Sequence, residues 1–220
     1  MELGKILFKY RSYTPLPFVF LMVLFMEPTV LTLMIGFLFV LSGESIRIWA
    51  VSYAGSETRV TGEVGASVLV TQGPYAIIRN PLYLGNILIY SGFGIMSNAL
   101  YPYLLFSAIC FFIIQYYFII RNEEEFLRQT YKENFITYCD NVKRYIPFPK
   151  KLPDGVKSGI KMDLKSGFKS DKRTLQAIII ISLLILIKFF FLWIIYLFLI
   201  IKLIYWFNKL IFWLINWYIY

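Results

Sequence analysis

The chain reads as an all-α integral membrane protein with about five transmembrane helices. These form two N-terminal hairpins plus a C-terminal span, with an amphipathic interfacial helix between. Three observations predict this class. Hydrophobic residues make up 59% of the 220 positions and mean hydropathy is +0.65, where an ordinary globular domain is nearer half apolar. The apolar residues fall in runs long enough to cross or nearly cross a bilayer. Lys and Arg gather mainly between those runs.

The charge excludes several functions. The formal net charge is +9, from 22 Lys and Arg against 13 Asp and Glu. The basic residues lie between apolar runs and have no soluble fold to present them to a duplex, so no nucleic-acid partner is expected. Histidine is absent and there are only two cysteines, Cys110 in an apolar run and Cys139 in a polar one. Neither spacing reads as a disulfide framework, and the commonest metal ligand is missing, so no metal site is expected. Lys5, Lys9 and Arg11 precede an apolar run in the manner of a signal peptide. No small-residue cleavage site follows, so the segment is read as retained.

The first apolar run, from about Leu16 to Met26, opens on Pro15 and Pro17 and ends at Glu27-Pro28. A second run extends from Thr29 to about Tyr53. The two are read as a compact hairpin whose first member is short or tilted; one longer helix kinked at Pro28 is the alternative. Glu44 and Arg47 stand at i, i+3 near the end of the second run and can pair on one face, either as an interfacial salt bridge or as part of a site. The loop from Ala54 to Gln72 carries Glu57, Arg59 and Glu63 and is long for a membrane turn.

Gly73 to Asn98, GPYAIIRNPLYLGNILIYSGFGIMSN, holds the sharpest local signal. Asn80 suits a helix N-cap and Pro81 the first helical position, where no N–H is needed. A third span therefore starts at Pro81 and runs to about Ser97. Its positive end, with free N–H groups, lies among Tyr75, Arg79 and Tyr83, a natural seat for an anion. A short turn through Ser97-Asn98 and Pro102 leads to a fourth span, Leu104 to Ile120. Arg121 then opens a charged segment in which Phe126, Leu127, Tyr131, Phe135 and Tyr138 recur at three- and four-residue steps, predicting the interfacial helix. Pro147 and Pro149 stop it.

Three sections follow: a membrane core over 1–149, a basic cytoplasmic linker over 150–173, and an apolar extension over 174–220. As one helix the stretch from Gln176 would be roughly 65 Å, twice a bilayer core, so a break is expected. The preferred reading is a span from about Leu175 to Ile200 followed by an interfacial Trp- and Tyr-rich helix; a hairpin of two spans is the alternative. Lys188 in mid-span faces a partner or snorkels.

The N-terminal tail, the loop after the second span and the segment after the fourth all carry Lys or Arg, whereas the turns at Glu27-Pro28 and Asn98-Ala99 carry none. The positive-inside rule then puts the N-terminus and the site loops on the cytoplasmic side of the cell membrane. It also brings Arg79-Asn80 beside Arg121–Glu124, the two ends of one hairpin. Arg79, the Asn80 amide and the helix N-terminus offer cationic and donor groups, Tyr75 and Tyr83 offer aromatic faces, and Glu123, Glu124 and Glu125 offer carboxylates. A ligand with an anionic end and a diol-bearing or cationic end matches such a site. S-adenosylmethionine has those parts, as do other nucleotides in part.

GPYAIIRNPLYLGN, followed by R-x-EE-x-x-L-x-x-x-Y-x-x-x-F-x-x-Y and V-x-R-Y-I-P, resembles the isoprenylcysteine carboxyl methyltransferase family. That family shares this pattern with phospholipid N-methyltransferases. GESIRIWAVSYAG and VTQGPY are similar to its bacterial members, and the resemblance covers about Thr14 to Pro149. It implies a membrane methyltransferase with S-adenosylmethionine as cofactor, held between the Arg-x-Pro loop and the Glu-Glu helix. By motif position it implies cofactor binding at Gln72, Gly73, Tyr75, Asn80, Pro81, Tyr83, Asn98, Glu123 and Glu124. Arg79, Arg121 and Glu124 are expected nearest the chemistry. Eukaryotic members carry His where this chain has Asn80, which cannot act as a base, and the tail after Arg173 lies outside the resemblance.

The expected reaction is methyl transfer to a lipophilic carboxylate or amine, so the expected partners are a lipid or other lipophilic small molecule and the membrane lipids themselves. A carboxylate acceptor needs no base; an amine needs one, for which Glu124 is placed. The competing readings are an NADPH-dependent membrane reductase of the sterol-reductase type and a non-catalytic membrane scaffold.

Overall fold

The computed structural model describes residues 2–55, 68–148, 153, 155 and 159–219, with side chains from 3 to 213 within those ranges. Glu57, Arg59, Glu63 and Pro149 lie outside the described residues. Six α-helices and one short 3-10 turn make up the regular structure there: α1 (Glu2–Tyr10), α2 (Leu16–Phe25), α3 (Val30–Ala54), the turn Gly73–Ala76, α4 (Pro81–Ser97), α5 (Tyr103–Asn141) and α6 (Leu164–Ile219). By length and composition α3, α5 and α6 can each cross a membrane. α2 is apolar but has only 10 residues, and α4 has 17.

The first hairpin forms as two helices. Met26 is extended at the end of α2, and Thr29 caps α3: its hydroxyl accepts the Thr32 N–H at 3.2 Å while the Thr32 hydroxyl accepts the Thr29 N–H at 2.9 Å. The two hairpin turns meet at one end of the bundle. The Glu27 N–H donates to the Ser97 carbonyl at 2.9 Å, and Asn98 Nδ2 donates to the Glu27 carbonyl at 3.2 Å.

α3 and α4 run antiparallel and pack closely, because two glycines on each helix interlock. A Cβ on Gly36 would lie 2.4 Å from the Gly92 carbonyl oxygen, and one on Gly43 would lie 2.6 Å from that of Gly85. Both pairs are seven residues apart, two helical turns, so one seam of small residues lets the backbones touch. Met22, Val40, Ile89, Phe93, Met96 and Ile185 fill the core between α2, α3, α4 and α6. A second cluster centred on Phe112 holds α1 against α5 through Phe8.

Two expectations change. The charged segment after Arg121 begins as a continuation of α5, and a second helical stretch starts only beyond a kink within it. The chain changes direction at Lys132, where φ is +45° and ψ −118°. Beyond that point Phe135, Tyr138 and Val142 are buried against Leu69, Ala76 and Leu127, so the aromatic face covers protein. The expected break after residue 200 is also absent. α6 is continuous over 56 residues, roughly 84 Å at 1.5 Å per residue, and it takes in residues 164–173 of the expected linker. No Gly or Pro interrupts it after Gly167, and the Asp163 carboxylate starts it by accepting the Ser166 N–H at 3.1 Å.

Candidate active site

The rim opposite the hairpin turns is built around the N-terminus of α4. Pro81 is buried at the first helical position. The 3-10 turn before it rests on α3: Gly73 has φ +60°, and a Cβ there would lie 2.3 Å from the Tyr53 ring. This position therefore needs glycine both for its backbone and for the close approach. The Tyr138 hydroxyl donates to the Tyr75 carbonyl at 2.6 Å, and the Arg79 N–H donates to the Lys143 carbonyl at 3.0 Å. These bonds bring the two ends of the α4–α5 hairpin together with the segment after α5.

Glu124 is the centre of the rim. Its carboxylate is buried between two guanidinium groups, with Arg79 Nε 3.3 Å and Arg144 Nε 3.1 Å from Oε1, while Arg144 Nη2 donates to Oε2. The bond to Glu124 holds the Arg144 guanidinium pKa above its ordinary value. Burial, with the Glu123 carboxylate second, pushes the Tyr75 phenol up, so it stays a neutral donor. Glu123 points to the other side. It accepts from the Tyr83 hydroxyl at 2.7 Å and lies 3.7 Å from Arg11, whose guanidinium sits over Phe8.

A second polar layer lies one turn deeper. Arg47 of α3 donates to Asn86 Oδ1 of α4 at 2.5 Å and to Asp171 Oδ1 of α6 at 2.5 Å, and also reaches Thr174 at 3.0 Å and Glu44 at 3.7 Å. Asn86 Nδ2 donates to the Tyr116 hydroxyl at 3.1 Å, and Tyr116 stacks near Tyr83 with ring centroids 4.6 Å apart. Tyr83, Asn86 and Tyr90 are on one face of α4 by their three- and four-residue spacing, so this polar strip runs inward from the rim.

The sequence-derived residues fall into two groups. Gln72, Gly73, Tyr75, Arg79, Asn80, Pro81, Tyr83, Glu123 and Glu124 all belong to the rim elements. Asn80 stands at the N-cap position, yet its side chain makes no capping bond. Its φ −126° and ψ 59° lie outside the extended region that turns a cap side chain back onto the first turn. Its Nδ2 is buried without a partner. Asn98 is not brought to the site. It ends α4 in a left-handed conformation, roughly 26 Å from Asn80 along a 17-residue helix, and bonds the other hairpin turn. Arg121 is exposed and turns back to Tyr117, with Nη1 3.3 Å from its hydroxyl, rather than toward Glu124.

Four partners escaped the sequence reading. Arg144 lies inside the quoted V-x-R-Y-I-P run, but nothing in the spacing joined it to Glu124. Arg11 sits among the basic residues of the N-terminal tail, Asp171 in the expected linker, and Asn86 inside the third apolar run. A polar residue inside an apolar run, as Asn86 and Gln115 both are, was the available signal.

Among the described residues no group of three His, Cys, Asp or Glu side chains is placed to hold a metal ion. Residues 31–134 match the family model of the phospholipid methyltransferases, which agrees with the resemblance carried by the GPY, Arg-Asn-Pro and Glu-Glu motifs. The chain is similar to the cobalt-zinc-cadmium resistance protein CzcN of Cupriavidus metallidurans, at 31% identity over 121 residues. That alignment takes in 55% of this chain and 50% of the relative, so this chain matches about half the length of that protein. No solved structure matches it.

Proposed function

Because residues 31–134 carry the phospholipid methyltransferase pattern, we propose that this protein transfers the methyl group of S-adenosylmethionine to a lipophilic acceptor at the cytoplasmic face of the membrane. The observation that carries the reading is Glu124, a buried carboxylate gripped by Arg79 and Arg144 at the positive end of α4. The partnerless buried Nδ2 of Asn80 is a donor waiting for an acceptor, as a carboxylate or an adenine nitrogen would supply. Glu123 and Tyr83 present a hydroxyl-binding carboxylate and an aromatic face within one cluster. When bound, the cofactor supplies an already activated methyl group, so the residues need chiefly to position and desolvate it.

On this reading Arg79 and Arg144 hold the Glu124 carboxylate in place, Asn80 fixes the cofactor, and Gly73 lets the backbone come close. The acceptor reaches the site from the bilayer along the polar strip of Tyr83, Asn86 and Tyr116. A carboxylate acceptor would be oriented by Arg79; an amine would pass its proton to Glu124. The basic segments beside the rim favour a cytoplasmic active site, and α6 serves as an additional span.

Isothermal titration of the purified full chain with S-adenosylmethionine tests the reading. Saturable binding that is lost in Glu124→Ala and Asn80→Ala is expected. No heat at millimolar cofactor would sink it, and a thermal shift with NADPH instead would favour the reductase.

A further inference from the structure

The hairpin turns at the end of the bundle remote from Glu124 enclose a second site. Residues 24–27, 98, 100 and 101 and the middle of α6 line a half-open cavity of about 530 Å³, with Phe25, Glu27, Asn98, Tyr101, Lys188 and Leu192 among its walls. We propose that it binds a lipid headgroup bearing one phosphate and one ammonium, with the lipid's chains running down α2 and α6.

Three observations carry this. First, the cavity holds one cation and one anion, Lys188 and Glu27, which form no ion pair with each other among the described residues. Two opposite charges facing one cavity without pairing are complementary to a ligand that carries both. Second, Lys188 sits between Ile187 and Phe189 in a long apolar stretch of α6. A cation in such a helix is costly unless it faces a polar site, and the turn residues supply one. Third, the wall is strained. Leu100 holds φ +45°; for a bulky side chain this is a true outlier, of a kind that collects at ligand sites.

The apolar part of the wall favours a lipid over a free zwitterion. Leu24 and Phe25 are 55% and 47% exposed on the outer side of α2, and Leu192 continues the same side of α6 one turn beyond Lys188. An acyl chain leaving the cavity would therefore meet apolar side chains on both flanks. None of these residues belongs to the rim site, so the proposal stands apart from methyl transfer.

The test uses the full chain in detergent, titrated with dihexanoyl phosphatidylethanolamine and, separately, with dihexanoyl phosphatidylglycerol, with binding read from the thermal midpoint. Lys188→Gln should weaken both lipids about tenfold or more, while Lys188→Arg should bind as the wild type does. Glu27→Gln should weaken the zwitterionic lipid about tenfold and leave the anionic one within about twofold. Glu124→Gln should change neither. Wild-type affinity in Lys188→Gln, or loss confined to Glu124→Gln, overturns the proposal. So does soluble phosphoethanolamine competing at the lipid's own concentration, because the occupant would then be the headgroup alone. Each variant's own unliganded midpoint serves as its baseline, and wild-type elution guards against misfolding.

Discussion

Replacing Gly36 by alanine tests the seam that holds α3 against α4. The new Cβ would meet the Gly92 carbonyl oxygen and Met96 Cγ at 2.4 Å each and the Met96 backbone nitrogen at 2.6 Å. Two of the three are backbone atoms of a packed helix, so a rotamer change cannot clear them. Restoring an ordinary contact of about 3.4 Å requires the helices to part by roughly 1 Å near residues 36 and 92. Overpacking of this kind costs about 1–3 kcal/mol, against which alanine regains about 0.5–1 kcal/mol of helix propensity. The net loss is up to about 2.5 kcal/mol, or up to about 10 °C in thermal midpoint for a chain of this size. Gly94→Ala is the matched contrast. Its Cβ meets Leu105 Cδ1 at 2.7 Å, the far end of a flexible side chain, so propensity should win and the midpoint should hold or rise. Thermal unfolding of both variants in one detergent, followed by size-exclusion recovery, reads the difference. Equal midpoints, or a Gly94 loss larger than that of Gly36, would refute the reasoning.

Further outcomes follow from the two polar layers. Glu124→Gln leaves Arg79 buried without a counter-charge and should cost about 3–5 kcal/mol, whereas Arg144→Gln, at a group one-third exposed, should cost under about 1 kcal/mol. Midpoints of the two variants and their double mutant would show the coupling. Asp171→Asn should loosen α6 from Arg47, speeding trypsin cleavage at Lys172 and Arg173; an unchanged cleavage rate would deny Asp171 its anchoring role. Gly73→Ala should disorganise the turn beneath Tyr75 and lower S-adenosylmethionine binding more than it lowers the midpoint, as titration and thermal unfolding together would record.

Much of the rim was legible because its signals are local. Proline after asparagine announced the start of α4, and the distribution of Lys and Arg predicted which helix ends meet. What escaped depends on contacts far apart in sequence. Arg144 reaches Glu124 across 20 positions and Asp171 reaches Arg47 across 124, distances that no periodicity reports. Asn98 was carried to the site by motif position, whereas a 17-residue helix puts it at the other end. The continuity of α6 ran against an argument from length alone, since neither Gly nor Pro stands there to break it. The paired seven-residue glycine spacings of α3 and α4 were present in the sequence and become meaningful only once the two helices are known to face each other.

α6 is also a ruler. Asp171, tied to Arg47 near one end of the bundle, and Lys188, in the cavity at the other, are 17 residues apart on one unbroken helix. That fixes their separation at roughly 25 Å, slightly less than the ~30 Å hydrocarbon core of a typical bilayer. Two polar anchors on a rigid rod leave the protein a single preferred apolar thickness. In a thicker membrane the lipid must thin around it, or one of the two anchors must give way.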